Sequence, residues 1–120
     1  PPSHSGNCIV VATKKEPKRY CACVVTATTR LDVNKTVKKL LGGKCSFASS
    51  EDTKRLTGMM IGGVTPFAIP KDWALYIDSR IMDLDTVILG GGSRSKKIKI
   101  TPKIFEATPN THIVEGLAKG

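Results

Sequence analysis

Two short runs constrain this chain more than anything else in it. Cys8 to Thr13 reads CIVVAT, Tyr20 to Ala27 reads YCACVVTA, and the residues between them are KKEPKR. β-Branched and apolar residues at this density suit a pleated, buried surface, and a charged segment with a proline in it suits neither run. The pair therefore reads as a hairpin of two buried strands joined by a charged turn. The rest of the chain has to supply the elements that pack on that sheet.

Downstream, Asp32 is placed to cap a helix that runs through Leu41, with Val33, Val37, Leu40 and Leu41 on one face and Lys35, Lys38 and Lys39 outward. Gly42 and Gly43 stop it. A short strand over Cys45 to Ala48 leads to Ser49 or Ser50, either of which can cap a second helix from Glu51 to Leu56 that ends near Gly58. Ala74 to Asp78 (ALYID) and Thr86 to Leu89 (TVIL) read as buried strands joined by a short polar turn, SRIMDLD. In Lys96 to Ile100, lysines 97 and 99 alternate with isoleucines 98 and 100, as in a half-buried strand with a positive outer face. Thr101 caps and Pro102 opens a last short helix, PKIFEA. Strands and short helices are interspersed without a βαβ rhythm or an internal repeat. The expected fold class is α+β, with a mixed sheet flanked by short helices.

The length of 120 residues suits a single domain, residues 1–120. No apolar run approaches the ~18 residues that a membrane span needs, so no membrane role is expected. The opening PPSHSGN has neither an initiating Met nor the order of a signal peptide, and an upstream segment is expected to be missing. Nineteen Lys and Arg against ten Asp and Glu give a formal charge of +9, which points to a polyanionic partner, nucleic acid first, or else to a solvated basic surface. Aromatic residues make up only 5%, too few for a base-stacking platform, so contact would run through phosphates and shape.

Cys8, Cys21, Cys23 and Cys45 form no CxxC pair, and Cys21 and Cys23 fall on one face of a strand. They read as buried free thiols in a reducing compartment, with the cytoplasm as the expected location. His4 and His112 lie near opposite ends of the chain and flank no cluster that would hold a metal or activate a nucleophile. No metal and no cofactor is expected.

GGGSR at 90–94 admits two readings. Successive backbone N–H groups with Arg94 could cradle a phosphate or ribose, as a small nucleotide pocket would need, or the segment is a tight turn. The Walker spacing GxxxxGK[ST] and the GxGxxG spacing are both absent. Asp83 and Asp85 read as turn residues, and only Asp78 ends a buried strand. A catalyst built here would use backbone N–H groups and the substrate's own hydroxyls more than an acid and base pair. The segment suited to that is GMMIGGVTPFAIP, residues 58–70. Gly62 and Gly63 allow close approach of backbone to ligand, and Pro66 and Pro70 stiffen the loop and remove donors.

Several segments together resemble the YbaK and prolyl-tRNA-synthetase-associated domain family, the editing domains that deacylate mischarged tRNA. They are LDVNKTVKKLLGGKCSFASSEDTKRLTG (31–58), GGVTPF (62–67), YID (76–78) and LGGGSRSKKIKITP (89–102). With the first two strands they cover nearly all of the chain from about Asn7 onward. The resemblance implies a curled mixed sheet with flanking helices, and hydrolysis of the ester between a small amino acid and the terminal ribose of tRNA. It implies catalytic positions at Gly62, Gly63, Thr65, Pro66 and Asn7, and substrate-binding positions at Asp78, Gly91, Gly92, Ser93 and Arg94. Aminoacyl-tRNA is the implied partner, with an aminoacyl-tRNA synthetase as a further one. The alternative is a non-catalytic tRNA-binding or synthetase-associated module of the same fold. The chain departs from the family's pattern at Asn7, which falls where a site lysine is typical and brings an amide without a positive charge. The helix and strand that usually precede this point are also absent, and Ala68 stands where many relatives have glycine.

Overall fold

A computed structural model describes residues 4–120. Pro1 to Ser3, the start of the PPSHSGN stretch, lie outside the described residues. The two apolar runs form β1 (Gly6–Thr13) and β2 (Tyr20–Thr26), antiparallel in a register that pairs Ile9 with Cys23 and Val11 with Cys21. The charged turn is closed where the Thr13 and Arg19 backbones meet, with the Thr13 N–H donating to the Arg19 carbonyl at 2.9 Å. Side chains alternate across this pair. Val11, Cys21, Cys23 and Val25 pack on one side, while Val10, Ala12, Ala22 and Val24 pack on the other.

After β3 (Arg30–Leu31), Asp32 starts the first helix as expected, and its carboxylate accepts from the N–H groups of Lys35 and Thr36. The opening turn, Val33–Val37, is wider than an α-turn, because the Val37 N–H reaches back five residues to the Asp32 carbonyl at 3.0 Å. It continues into α1 (Lys38–Leu41). Val33, Val37 and Leu41, four residues apart, face the sheet, whereas Leu40 falls beside that stripe and is 37% exposed instead of buried. β4 (Cys45–Phe47) lies along β1, and Ser49 caps α2 (Ser50–Thr57) by accepting from the Asp52 N–H. Gly42 and Gly58 end the two helices in left-handed conformations.

β5 (Ala74–Asp78) pairs in parallel with β2. The SRIMDLD segment is not only a polar turn: it holds α3 (Ser79–Met82), because Asp78 caps it through the Arg80 N–H and Ile81 is fully buried among core side chains. β6 (Val87–Gly90) and β7 (Lys97–Ile100) form an antiparallel pair, and β6 joins the edge of β1 through a parallel bridge from Ser5 to Ile88. Pro102–Glu106 is a tight 3₁₀ turn. Pro102 opens it as expected, but the Thr101 side chain supplies no cap. Two more strands that, like β3, the sequence pattern does not single out complete the fold. β8 (Thr111–Val114) adds in parallel to β5, and β9 (Ala118–Lys119) pairs with β3. The main sheet runs β4-β1-β2-β5-β8 and is mixed, with short helices on its faces.

Cys21, Cys23 and Cys45 are buried free thiols, and Cys8 is a half-buried one. Cys21 Sγ and Cys23 Sγ lie 3.8 Å apart on the same face, as their spacing requires.

Candidate active site

The apolar loop after α2 divides its side chains. Met59 and Val64 plug the core, while Met60, Ile61 and Phe67 stay exposed. What fixes its path is backbone meeting backbone. A Cβ on Gly63 would lie 2.4 Å from the Ser93 carbonyl carbon, and one on Gly90 would lie 2.8 Å from the Val64 oxygen, so neither position admits a side chain unless the chain moves. Two hydrogen bonds lock the contact. The Gly92 N–H donates to the Gly63 carbonyl at 2.9 Å, and Arg94 Nε donates to the Ile61 carbonyl at 2.8 Å.

Between this braced loop, the start of β1, the end of β4 and α2 lies a cavity of about 330 Å³. Its floor is apolar, made by Val10, Ala48 and Val64 with half-buried Cys8. Exposed Phe47 and Ile61 flank its mouth. The polar groups at its edge come from Asn7, Gly62 and Lys97. Asn7 is exposed, and Gly62 sits at φ +89°, a left-handed conformation that glycine adopts freely. Among the described residues nothing accepts the Gly62 N–H. Thr53, only 1% exposed, also lines the cavity, and its hydroxyl has no partner among the described residues.

The predicted positions separate accordingly. Asn7 and Gly62 line the cavity together. Gly63 lies behind Gly62, and its own N–H is taken by the Met60 carbonyl at 2.8 Å. Thr65 is buried, its N–H directed at Met59 Sδ and its hydroxyl unpartnered among the described residues. Pro66 faces a second, largely apolar groove of about 500 Å³ on the other side of the loop, with Phe67, Trp73 and Ile104. None of Gly91, Gly92, Ser93 and Arg94 lines the cavity; Gly92, Ser93 and Arg94 brace the loop instead. The Gly91 N–H is spent on Lys96 and the Gly92 N–H on Gly63, so neither is open to an anion. Asp78 is buried away from the cavity. One of its oxygens accepts from the Arg80 N–H at 2.8 Å and the other from the Ala118 N–H at 2.8 Å, which ties β5 to β9. Arg80 completes that tie by donating to the Ala118 carbonyl.

Sequence reasoning did not place Thr53 or Lys97 at the site, and it singled out Gly90 only as the start of the GGGSR turn. Lys97 was legible as an outward residue of its strand. Its place beside the cavity depends on the register that pairs it with Gly90.

Cys8 is the only thiol at the cavity among the described residues, and burial, with a smaller contribution from Cys21, pushes its pKa up to about 12. No carboxylate and no histidine lines the cavity among the described residues. The arrangement offers an apolar recess, backbone and amide hydrogen-bonding groups, and one cation, which suits polarising a carbonyl more than transferring a proton from an ionised side chain.

A family model described as the aminoacyl-tRNA editing domain matches residues 1–107. The chain belongs to the aminoacyl-tRNA editing domain family. Among curated relatives of this editing domain, the uncharacterized protein YwhH of Bacillus subtilis (strain 168) is 34% identical over 80 residues, 67% of this chain and 50% of YwhH. A proposed Cys-tRNA(Pro)/Cys-tRNA(Cys) deacylase, EbsC of Enterococcus faecalis (strain ATCC 700802 / V583), is 22% identical over 107 residues, 89% of this chain and 63% of EbsC. The chain thus spans about half to two thirds of the length of these relatives. Among solved structures, the hypothetical protein APE2540 superposes with a TM-score of 0.87 at 25% identity, covering 99% of this chain and 77% of that one. A proposed trans-editing enzyme for prolyl-tRNA synthetase gives 0.85 at 26% identity, covering 100% and 73%.

Proposed function

We propose that the chain is an aminoacyl-tRNA deacylase that hydrolyses the ester of tRNA mischarged with a small amino acid, acting in trans. The observation that carries this reading is the cavity itself: small, apolar at its floor, edged by Asn7 and the unengaged Gly62 N–H, in a chain of the editing-domain family. The amino-acid side chain enters the apolar recess, and the ester carbonyl oxygen accepts from the Gly62 N–H, where negative charge develops as water attacks. A ribose hydroxyl of the substrate assists the water. The ester C–O bond then breaks, leaving the tRNA hydroxyl and a free amino acid. A preorganised donor of this kind is worth on the order of 3 kcal/mol in the transition state. The net charge of +9 supports a polyanionic substrate.

The test is a deacylation time course over a panel of tRNAs charged with small amino acids, run on the wild type and on Asn7→Ala. Asn7 orients the substrate at the cavity edge and is exposed, so the variant is expected to keep its melting temperature while losing about tenfold in kcat/KM, the worth of one orienting hydrogen bond. Release of no amino acid by the wild type, with tRNA still bound, would replace this reading with that of a tRNA-binding module. Gly63→Ala is a poorer probe, because its Cβ would collide with the Ser93 backbone and shift the loop.

A further inference from the structure

Asn7, Gly90 and Lys97 stand at one level of three adjacent strands. The Ser5 to Ile88 bridge sets β1 parallel to β6, and continuing that register by two residues brings Asn7 beside Gly90. Across β6, Gly90 pairs with Lys97. At about 4.8 Å per strand spacing, the Asn7 and Lys97 backbones are ~10 Å apart. Gly90 between them carries no side chain, and the Gly63 and Val64 backbones pack over it, so Asn7 and Lys97 flank that part of the loop at the cavity rim.

Lys97 is the one cation among the described residues that line the cavity, and none of them is acidic. It is exposed, and its ammonium makes no ion pair with any described residue. An ammonium at the edge of an apolar recess, without a carboxylate to neutralise it, makes that edge the place where a ligand's negative charge is favoured. Asn7, on the other side of the Gly63–Val64 segment, adds an uncharged donor and acceptor to the same rim.

We propose that Lys97 is a substrate-positioning residue that holds the phosphate of the terminal nucleotide at the rim, so that the ester on its ribose reaches the Gly62 edge of the cavity. The assignment of that phosphate to tRNA rests on the deacylase reading above. Lys99, on the same face of β7 two residues on, does not line the cavity and serves as the control.

The experiment is a titration of 15N-labelled protein with adenosine 5′-monophosphate, adenosine and inorganic phosphate, followed at the amides of Gly62 and Gly90. The wild type and Lys99→Gln are expected to bind the nucleotide about fivefold more tightly than the nucleoside, the worth of one solvent-exposed charge pair. Lys97→Gln is expected to lose that preference, and Asn7→Lys in the Lys97→Gln background to restore it, because either strand can deliver a cation to the cavity rim. Equal binding of nucleotide and nucleoside by the wild type, no binding at all, or a preference that survives Lys97→Gln would each overturn the proposal. Inorganic phosphate binding as tightly as the nucleotide would overturn the nucleotide assignment. In the deacylation assay Lys97→Gln should raise KM roughly fivefold at unchanged kcat. A wild type that releases no amino acid would remove the deacylase reading, yet the titration would still report on the phosphate site.

Discussion

At the scale of single residues, the cavity's chemistry is set by which groups are held neutral. A thiol in a cavity proposed to receive an ester invites a nucleophilic role for Cys8, but burial holds that thiol far above the ordinary range, at about 12 against 9.0. The thiolate is the reactive form, and a shift of that size leaves roughly a thousandfold less of it at neutral pH. Alkylation of Cys8 by iodoacetamide at pH 8, read by peptide mass spectrometry, is therefore expected to run at least about a hundredfold slower in the native protein than in the unfolded chain. Equal rates would return Cys8 to the candidate nucleophiles. Gly62 stood out in the sequence as part of a glycine and proline loop, and Asn7 only through the resemblance to the editing domains; the structure puts both beside the cavity. Gly91 to Arg94 read as candidate substrate contacts from their glycine-rich pattern and from the resemblance, but packing spends the Gly92 N–H and Arg94 Nε on the loop and the Gly91 N–H on Lys96. Lys97 and Thr53 became site residues only through long-range packing and register, which no local pattern contains.

At the scale of elements, the helix that begins at Asp32 is joined to the end of the chain. The Asp32 carboxylate accepts from the Thr36 hydroxyl at 2.8 Å and lies 3.9 Å from Lys119 Nζ on β9. The Thr36 hydrogen bond first, then the Lys119 charge and the backbone N–H groups, hold its pKa below the usual 3.8 despite partial burial. A carboxyl whose pKa is lower folded than unfolded stabilises the fold fully above the unfolded value and loses that contribution as pH falls through the folded one. Asp32→Ala should thus cost about 1 kcal/mol at pH 7, the usual worth of a cap. In thermal melts the gap between variant and wild type should narrow below pH ~4. A gap that stays constant down to pH 2 would show that the charge contributes nothing. The helix, its cap and its glycine stop were legible because caps and apolar spacing are read within one turn. β3, β8 and β9 were not, since short strands of two to four residues gain their identity from partners distant in sequence. The same holds for α3, whose cap, Asp78, also serves β9.

At the scale of the whole molecule, the charge of +9 is unevenly placed. The β1–β2 turn carries Lys14, Lys15, Lys18 and Arg19, all exposed, and it packs against the end of α1. There the Arg19 guanidinium donates to the Leu41 carbonyl at 2.6 Å and the Lys14 N–H to the Lys44 carbonyl at 2.9 Å. β1 has this cluster beyond its last residue and the cavity along its first half, and at about 3.3 Å per residue the two are ~20 Å apart. A ligand confined to the cavity does not feel the cluster through a Debye length of about 8 Å at physiological salt, but a tRNA long enough to span both does. Replacing Lys14, Lys15 and Lys18 together by Gln is therefore expected to separate two kinds of binding. The affinity for full-length tRNA should fall, and the slope of log K against log salt should become shallower by up to about 3, near 0.9 for each phosphate that a lysine no longer neutralises. Binding of adenosine 5′-monophosphate at the cavity should stay the same. An unchanged salt slope would mean that the cluster stands clear of the RNA, leaving recognition to the cavity rim and to cations elsewhere on the surface. A parallel loss of nucleotide binding would mean that the two regions are coupled through β1, because screening rules out a direct effect over that distance.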